Sequence, residues 1–149
     1  MEWIGLSAAA VLLARAVYTD IREGKIENRV IVTGLLSGLL LACLNGGVKG
    51  FLDSAKMAGV TLAVLLILFL IKGLGAGDVK LFCMLAVFFP GEVISIIVVS
   101  FLAGGVMAVQ KMCFRYLQKE KVYVRHETMN FSIPIAVGTG IVIMMKYCR

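Results

Sequence analysis

Residues 57–89 read "MAGVTLAVLLILFLIKGLGAGDVKLFCMLAVFF", which is two apolar runs around a short glycine-rich break. The break contains one acid, Asp78, which directly follows the closely spaced Gly75 and Gly77. Long apolar runs are typical of membrane-spanning helices. A carboxylate at the edge of the hydrocarbon layer costs free energy, so it usually has a function and a partner. The stretch therefore predicts an all-α membrane protein with a functional site near Asp78.

Composition indicates the same class of protein. Of 149 residues, 60% are hydrophobic and 16% are charged, whereas a soluble domain has about 45–50% apolar and roughly 25% charged residues. We predict one membrane-embedded domain over residues 1–149. The net charge of +6 comes from residues between the apolar runs, which favours contact with the lipid bilayer and its anionic headgroups over binding of nucleic acid.

Cysteine and histidine usage argues against a metal site or a cofactor. None of the four cysteines forms a C-x-x-C pair, and His126 is the single histidine of the chain. Zinc sites need clustered Cys and His ligands. We therefore expect no metal and no organic cofactor.

Six apolar stretches predict six transmembrane helices, at about 3–19, 29–45, 56–72, 79–90, 92–112 and 131–147. The fourth is short, so we expect it to reach only part of the way across the membrane or to begin a turn earlier inside a cavity. Basic residues gather on one side of this topology, with eleven against four. The richer side has Arg15, Arg22, Lys25, Arg29, Lys72, Lys80, Lys111, Arg115, Lys119, Lys121 and Arg125, and the poorer side has Lys49, Lys56, Lys146 and Arg149. Cytoplasmic loops carry the excess of Lys and Arg, so this pattern predicts that both termini face out.

The predicted topology places two acids at the same membrane edge. Asp20 ends the first span, and Asp78 begins the fourth, both on the cytoplasmic side. Each also has a purely structural interpretation, because Asp78 could cap a helix and Asp20 could pair with Arg22.

The residues around the two acids resemble a known pair of motifs. "DIREGKIEN" (20–28) and "GAGDVKL" (75–81) are similar to the two aspartate motifs of type IV prepilin peptidases, which are intramembrane aspartic proteases of the G-x-G-D kind. In the first motif Asp20, Arg22, Ile26 and Asn28 match, and Glu27 replaces a proline; in the second, Gly75, Gly77, Asp78, Lys80 and Leu81 match. The stretch "FSIPIAVG" (131–138) also resembles one that opens the last helix of the family.

The resemblance implies a catalytic pair, Asp20 and Asp78, in an enzyme of the inner membrane with its active site at the cytoplasmic face. It implies that the substrates are prepilin-like membrane proteins, cut between a leader and an apolar helix. No paired C-x-x-C motifs are present, so the chain resembles the short, peptidase-only form, and methylation of the cleaved product is not implied.

Supporting roles follow for the other matched residues. Gly75 and Gly77 would allow close approach of backbone or substrate, and Lys80 would lower the pKa of Asp78 or meet a lipid phosphate. Asn28 would cap the second helix, and Arg22 belongs to the first motif. Because Asp78 begins a helix and Asp20 ends one, the helix dipoles predict that Asp20 is the more readily protonated partner.

Other stretches leave alternatives open. Residues 111–130 are basic with interleaved aromatic residues, which fits either a solvated loop or an interfacial segment. The Gly34/Gly38 spacing and the pair Gly104 and Gly105 permit close helix contacts, either within the monomer or in a homodimer. Two further functions remain open: a small proton- or ion-coupled transporter, and a non-catalytic pilus assembly protein.

Overall fold

The computed structural model describes residues 2–117 and 131–148. Regular structure in these ranges is entirely helical, which confirms the predicted all-α class. The helices are α1 (Glu2–Glu23), α2 (Asn28–Leu70), α3 (Ala76–Phe88), α4 (Val93–Leu117) and α5 (Ser132–Tyr147). Residues 118–130, most of the basic stretch discussed above, lie outside the described residues.

Helix α2 reverses its direction at Gly47, which has φ 61° and ψ −149° and interrupts the helical backbone. A methyl group added at Gly50 would lie 2.5 Å from the carbonyl oxygen of Ala42. In a straight helix, residues eight positions apart are separated by about 12 Å, so the chain must bend sharply between them. The two ends of α2 also lie near each other, because Ile26 contacts Gly77, which follows Leu70 by a short loop. We call residues 28–46 the first arm and residues 48–70 the second arm. They correspond to the second and third predicted spans.

The helical segments run alternately between two ends of the bundle. At one end, Lys80 of α3 meets Asn28 of α2. At the other end, the rings of Trp3 and Tyr147 stack with centroids 5.1 Å apart, and Lys146 pairs with Glu92 at 2.7 Å. The start of α1 and the end of α5 therefore share the end of the bundle that is remote from Lys80 and Asn28.

Three helical stretches in the described part of the chain are long and apolar enough to cross a membrane: Trp3–Glu23, Asn28–Leu70 and Val93–Cys113. Their outer faces expose large apolar side chains, such as Val11, Leu36 and Leu102, each more than 60% exposed. An exposed apolar surface of this extent is typical of contact with another apolar phase. Together with the hydropathy, it indicates a membrane protein.

Helix α3 is the buried centre of the bundle. Its side chains at Leu81, Phe82, Met84 and Leu85 have no exposed surface. The helix has 13 residues, or about 20 Å, which is short of the roughly 30 Å hydrocarbon core of a bilayer. It begins at Ala76, about one turn before residue 79, where the predicted fourth span begins. An earlier start of this kind was one of the two expectations for this segment.

Small residues let the first arm of α2 pack closely on α3. Gly34 lies against Met84, and Gly38 lies against Val87 and Phe88. These glycines therefore serve contacts within the monomer. The homodimer remains a prediction.

Candidate active site

Asp20 lies in the last turn of α1, and its side chain is buried, with 8% of its surface exposed. Its Oδ2 accepts a hydrogen bond from Oγ of Ser132 at 2.5 Å. Ser132 is the first residue of α5 and has no exposed surface. The hydrogen bond joins the end of α1 to the start of α5, so the position of Asp20 depends on two helices that are far apart in sequence.

Asp78 is the third residue of α3, and Gly75 is the N-cap residue of that helix. The Asp78 carboxylate accepts a hydrogen bond from the backbone N–H of Gly75, in the manner of the reverse half of a capping box. A methyl group at Gly75 would lie 2.8 Å from Oδ2 of Asp78. Only glycine leaves room for the carboxylate at this distance, so Gly75 positions Asp78.

The two carboxylates affect each other electrostatically. Asp78 precedes the apolar part of α3, and its pKa is raised from 3.8 to about 6, first by burial and second by the charge of Asp20. The hydrogen bond from Gly75 opposes this rise. Burial thus outweighs the position of Asp78 at a helix N-terminus. The rise runs against the helix-dipole argument for Asp20 as the more readily protonated partner, because that argument left out the cost of desolvating the Asp78 carboxylate.

Two contacts join the motif around Asp20 to the motif around Asp78. Nζ of Lys80 donates a hydrogen bond to Oδ1 of Asn28 at 3.0 Å. A methyl group at Gly77 would lie 3.3 Å from Cδ1 of Ile26, so Gly77 lets the first loop pack tightly on the start of α3. Residues 28 and 80, which are 52 positions apart in sequence, thereby share one wall of the site.

One predicted supporting role needs correction. Asn28 does not cap α2, since the N-cap residue is Glu27 and no side-chain cap bond is made there. Asn28 instead accepts a hydrogen bond from Lys80. The role of Lys80 toward Asp78 or a lipid phosphate remains a prediction.

Arg22 does not reach the site or Asp20. Its guanidinium donates a hydrogen bond to the Tyr18 hydroxyl at 2.9 Å and lies over the Tyr18 ring. These contacts are on the exposed side of α1, because residues 18 and 22 are one helical turn apart and share a face. Although Arg22 belongs to the same motif as Asp20, its side chain points away from Asp20 around the helix.

Asp20 and Asp78 line one open cleft of about 1680 Å³ at this end of the bundle. Its apolar wall comes from the second arm of α2, from α4 and from α5, and includes Phe69, Phe101, Met107, Phe131 and Ile133. Four lysines share the cleft with the two acids: Lys25, Lys72, Lys80 and Lys111. The cleft combines an apolar surface, two interacting carboxylates and a positive rim, which suits an extended peptide backbone.

Among the described residues, no group of three His, Cys, Asp or Glu side chains lies together in a way that could hold a metal ion.

The sequence profile of the type IV leader peptidase family matches residues 7–109, a range that contains both aspartates and the cleft-forming loops between them. The chain belongs to the type IV leader peptidase family. No curated protein and no solved structure gives a match. Membership of the family confirms the resemblance found in the two motifs and implies that the chain is a peptidase.

Sequence reasoning missed Ser132 as a neighbour of Asp20. The stretch "FSIPIAVG" contains it, but the match to the type IV leader peptidase family ends at residue 109, before α5. No spacing rule relates a serine to an aspartate 112 residues earlier. Only the packing of α5 on α1 reveals the contact.

Proposed function

We propose that the protein is an aspartic endopeptidase that removes the leader from type IV prepilin-like membrane proteins, with Asp20 and Asp78 as the catalytic pair. One observation carries this proposal. Carboxylates from the two separate motifs line one cleft, and the charge of Asp20 helps to raise the pKa of Asp78. Interacting carboxylates that share a proton are the arrangement that aspartic proteases use.

The geometry supports a division of roles. Asp20 accepts a hydrogen bond from Ser132, which orients its carboxylate, and the raised pKa of Asp78 lets that group hold a proton more readily than a solvated carboxyl. Asp20 therefore takes a proton from a water molecule while the water oxygen bonds to the scissile carbonyl carbon. Asp78 donates its proton to the carbonyl oxygen, which gives a neutral tetrahedral diol.

The second half of the reaction returns both groups to their starting state. Asp20 gives its proton to the amide nitrogen as the carbon–nitrogen bond breaks. Asp78 recovers a proton from a hydroxyl of the diol as the new carboxyl group forms. The reaction is hydrolysis, so one water molecule is consumed, and no metal or organic cofactor takes part.

The proposed setting is the cytoplasmic face of the inner membrane. The cleft lies at the end of the bundle where α1 ends and α3 begins, and the basic residues Lys25, Lys72, Lys80 and Lys111 surround it. Positive charge of this kind favours the cytoplasmic side. Six helical segments would then cross or enter the membrane, with both termini outside, and a substrate helix would unwind at the membrane edge to expose its scissile carbonyl.

The lysines also restrict how a basic leader can bind. A cluster of positive charges repels the basic residues of a leader at short range. Basic residues of the substrate would therefore lie outside the cleft, near the anionic headgroups, while the uncharged residues next to the scissile bond enter it.

Cleavage of a co-expressed prepilin tests the proposal. Wild type would be compared with Asp20→Asn and Asp78→Asn, and the product would be identified by its mass. Asp53→Asn is the matched control, because Asp53 is exposed in the second arm of α2 and does not line the cleft. We expect cleavage by wild type and by Asp53→Asn and loss of cleavage in the other two variants.

Two outcomes would contradict the proposal. Cleavage that survives either substitution in the pair would exclude the two-aspartate mechanism. Ion flux in liposomes that depends on Asp20 and Asp78, without cleavage of any prepilin tested, would favour the transporter.

A further inference from the structure

Ser132 makes an unusual contact for a hydroxyl side chain in this bundle. Most of the hydroxyls with hydrogen bonds in the described chain bond to a carbonyl of their own helix, three or four residues earlier, as Thr19 does to Arg15 and Ala16 and Thr139 does to Ile135. Ser132 is the first residue of α5 and has no preceding turn of that helix behind it. Its hydroxyl is therefore available to another element, and it donates to Oδ2 of Asp20 at 2.5 Å.

The direction of this hydrogen bond has a chemical consequence. An ionised carboxylate can only accept hydrogen bonds, whereas a serine hydroxyl can donate one. Because hydrogen bonds are directional, a donated hydrogen bond also holds the carboxylate that accepts it in one orientation. Because both residues are buried, little water is available to replace the hydroxyl, and charge-assisted hydrogen bonds are stronger than neutral ones.

The hydrogen bond also distinguishes the two oxygens of Asp20. Oδ2 is occupied by the Ser132 hydroxyl, so Oδ1 is the oxygen left to take a proton from water. A side chain with one oxygen held in this way has less freedom to rotate, and a reacting group gains rate from being held in one orientation.

We propose that Ser132 is a positioning residue that holds Asp20 in one orientation and directs its other carboxylate oxygen toward the attacking water. This inference rests on the proposed function, and it adds α5 to the catalytic apparatus, beyond the range 7–109 that matches the family. Docking of α5 on α1 thereby completes the site.

Ser100 supplies a matched control for this role. Ser100 lies on α4 and is also fully buried. It packs against Gly138, which is on α5, the helix that begins with Ser132. Its hydroxyl has no hydrogen-bond partner among the described residues. Ser100→Ala thus makes the same chemical change, at the same burial and against the same helix, without touching Asp20.

The test uses purified protein and a prepilin that wild type cleaves. Cleavage rates would be measured against substrate concentration and pH for wild type, Ser132→Ala, Ser132→Thr and Ser100→Ala. We expect Ser132→Ala to lower kcat about 10- to 100-fold, from the loss of a hydrogen bond to a charged group, with little change in KM. Ser132→Thr keeps the hydroxyl and recovers most of the activity.

The fall in kcat at an unchanged KM, and its recovery in Ser132→Thr, isolate the hydroxyl from a general structural effect. The titratable groups that share the cleft with Asp20 are the same in every variant: Asp78, Lys25, Lys72, Lys80 and Lys111. Melting temperatures of Ser132→Ala and Ser100→Ala show whether either variant loses its fold.

The outcomes separate this inference from the proposed function. If wild type cleaves and Ser132→Ala keeps its kcat, the positioning role is refuted while the protease remains. An equal loss of kcat in Ser132→Ala and Ser100→Ala, or no recovery of kcat in a folded Ser132→Thr, also refutes it, since packing alone then explains the loss. If wild type cleaves no prepilin, the proposed function fails first, and this inference fails with it.

Discussion

Gly75→Ala should lower the catalytic rate of this protein while leaving its stability nearly unchanged. Gly75 has φ −75° and ψ 148°, an extended conformation that alanine adopts without strain. Alanine is a poorer N-cap residue than glycine, but it also restricts the unfolded chain, which contributes about 0.4–1 kcal/mol of stability. These effects oppose each other, so we expect the free energy of unfolding to change by less than about 1 kcal/mol.

The effect on the site is larger and comes from one close contact. The added methyl group would lie 2.8 Å from Oδ2 of Asp78, whereas ordinary van der Waals contact begins near 3.4 Å. The carboxylate must therefore withdraw by about half an ångström, which weakens its hydrogen bond to the Gly75 N–H. A misplacement of about 1 Å can cost roughly 10²-fold in rate. On a logarithmic scale, half of that distance predicts a loss of about tenfold in kcat.

The assay compares leader cleavage and thermal unfolding for wild type, Gly75→Ala and Gly59→Ala. Gly59 lies inside the second arm of α2, and a methyl group there meets nothing within 4 Å. We expect Gly59→Ala to keep wild-type kcat, while Gly75→Ala loses about tenfold at a similar melting temperature. Wild-type kcat in Gly75→Ala would refute the reasoning, because the position of Asp78 would then not depend on the absence of a side chain at residue 75.

Three further predictions concern packing, the link between the motifs, and pH. Gly138→Ala should lower the free energy of unfolding by about 1–3 kcal/mol, because its methyl group would lie 2.7 Å from the backbone nitrogen and 2.9 Å from Cα of Ser100 on α4. Gly140→Ala is the control in the same melting assay and should be tolerated, because a methyl group there meets nothing within 4 Å. A double-mutant cycle of Lys80→Ala and Asn28→Ala should give a coupling of about 0.5–1 kcal/mol in thermal unfolding, and additive effects would contradict their hydrogen bond. The pKa of Asp78 is raised from 3.8 to about 6, so the stability from its proton is complete below pH 3.8 and is lost as the pH rises through about 6; kcat should fall over the same rise, and the melting temperature of Asp78→Asn should lack this pH dependence.

The positions of the helices could be predicted from hydropathy and motif spacing, because both depend on local sequence. An apolar run long enough for a bilayer predicts a helix wherever it occurs, and the predicted spans fall on the helices observed. The reversal inside α2 at Gly47 falls in the glycine-containing gap between the predicted spans 29–45 and 56–72. The predicted cap by Asn28 was wrong, and the contact of Arg22 with Tyr18 was not foreseen, because side-chain directions depend on helix rotation and on the neighbouring elements.

The sequence alone determined that this chain is an apolar helical bundle and that two acidic motifs end up at the same end of it. Alternating helices return every second loop to the same side, so the order of the spans brings Asp20 and Asp78 to one face. Only the tertiary structure decided how the two acids differ. Burial raises the pKa of Asp78, Gly75 leaves room for its carboxylate, and Ser132 reaches Asp20 from the last helix. Desolvation and hydrogen bonding depend on what the other helices place around a side chain, which no short stretch of sequence contains.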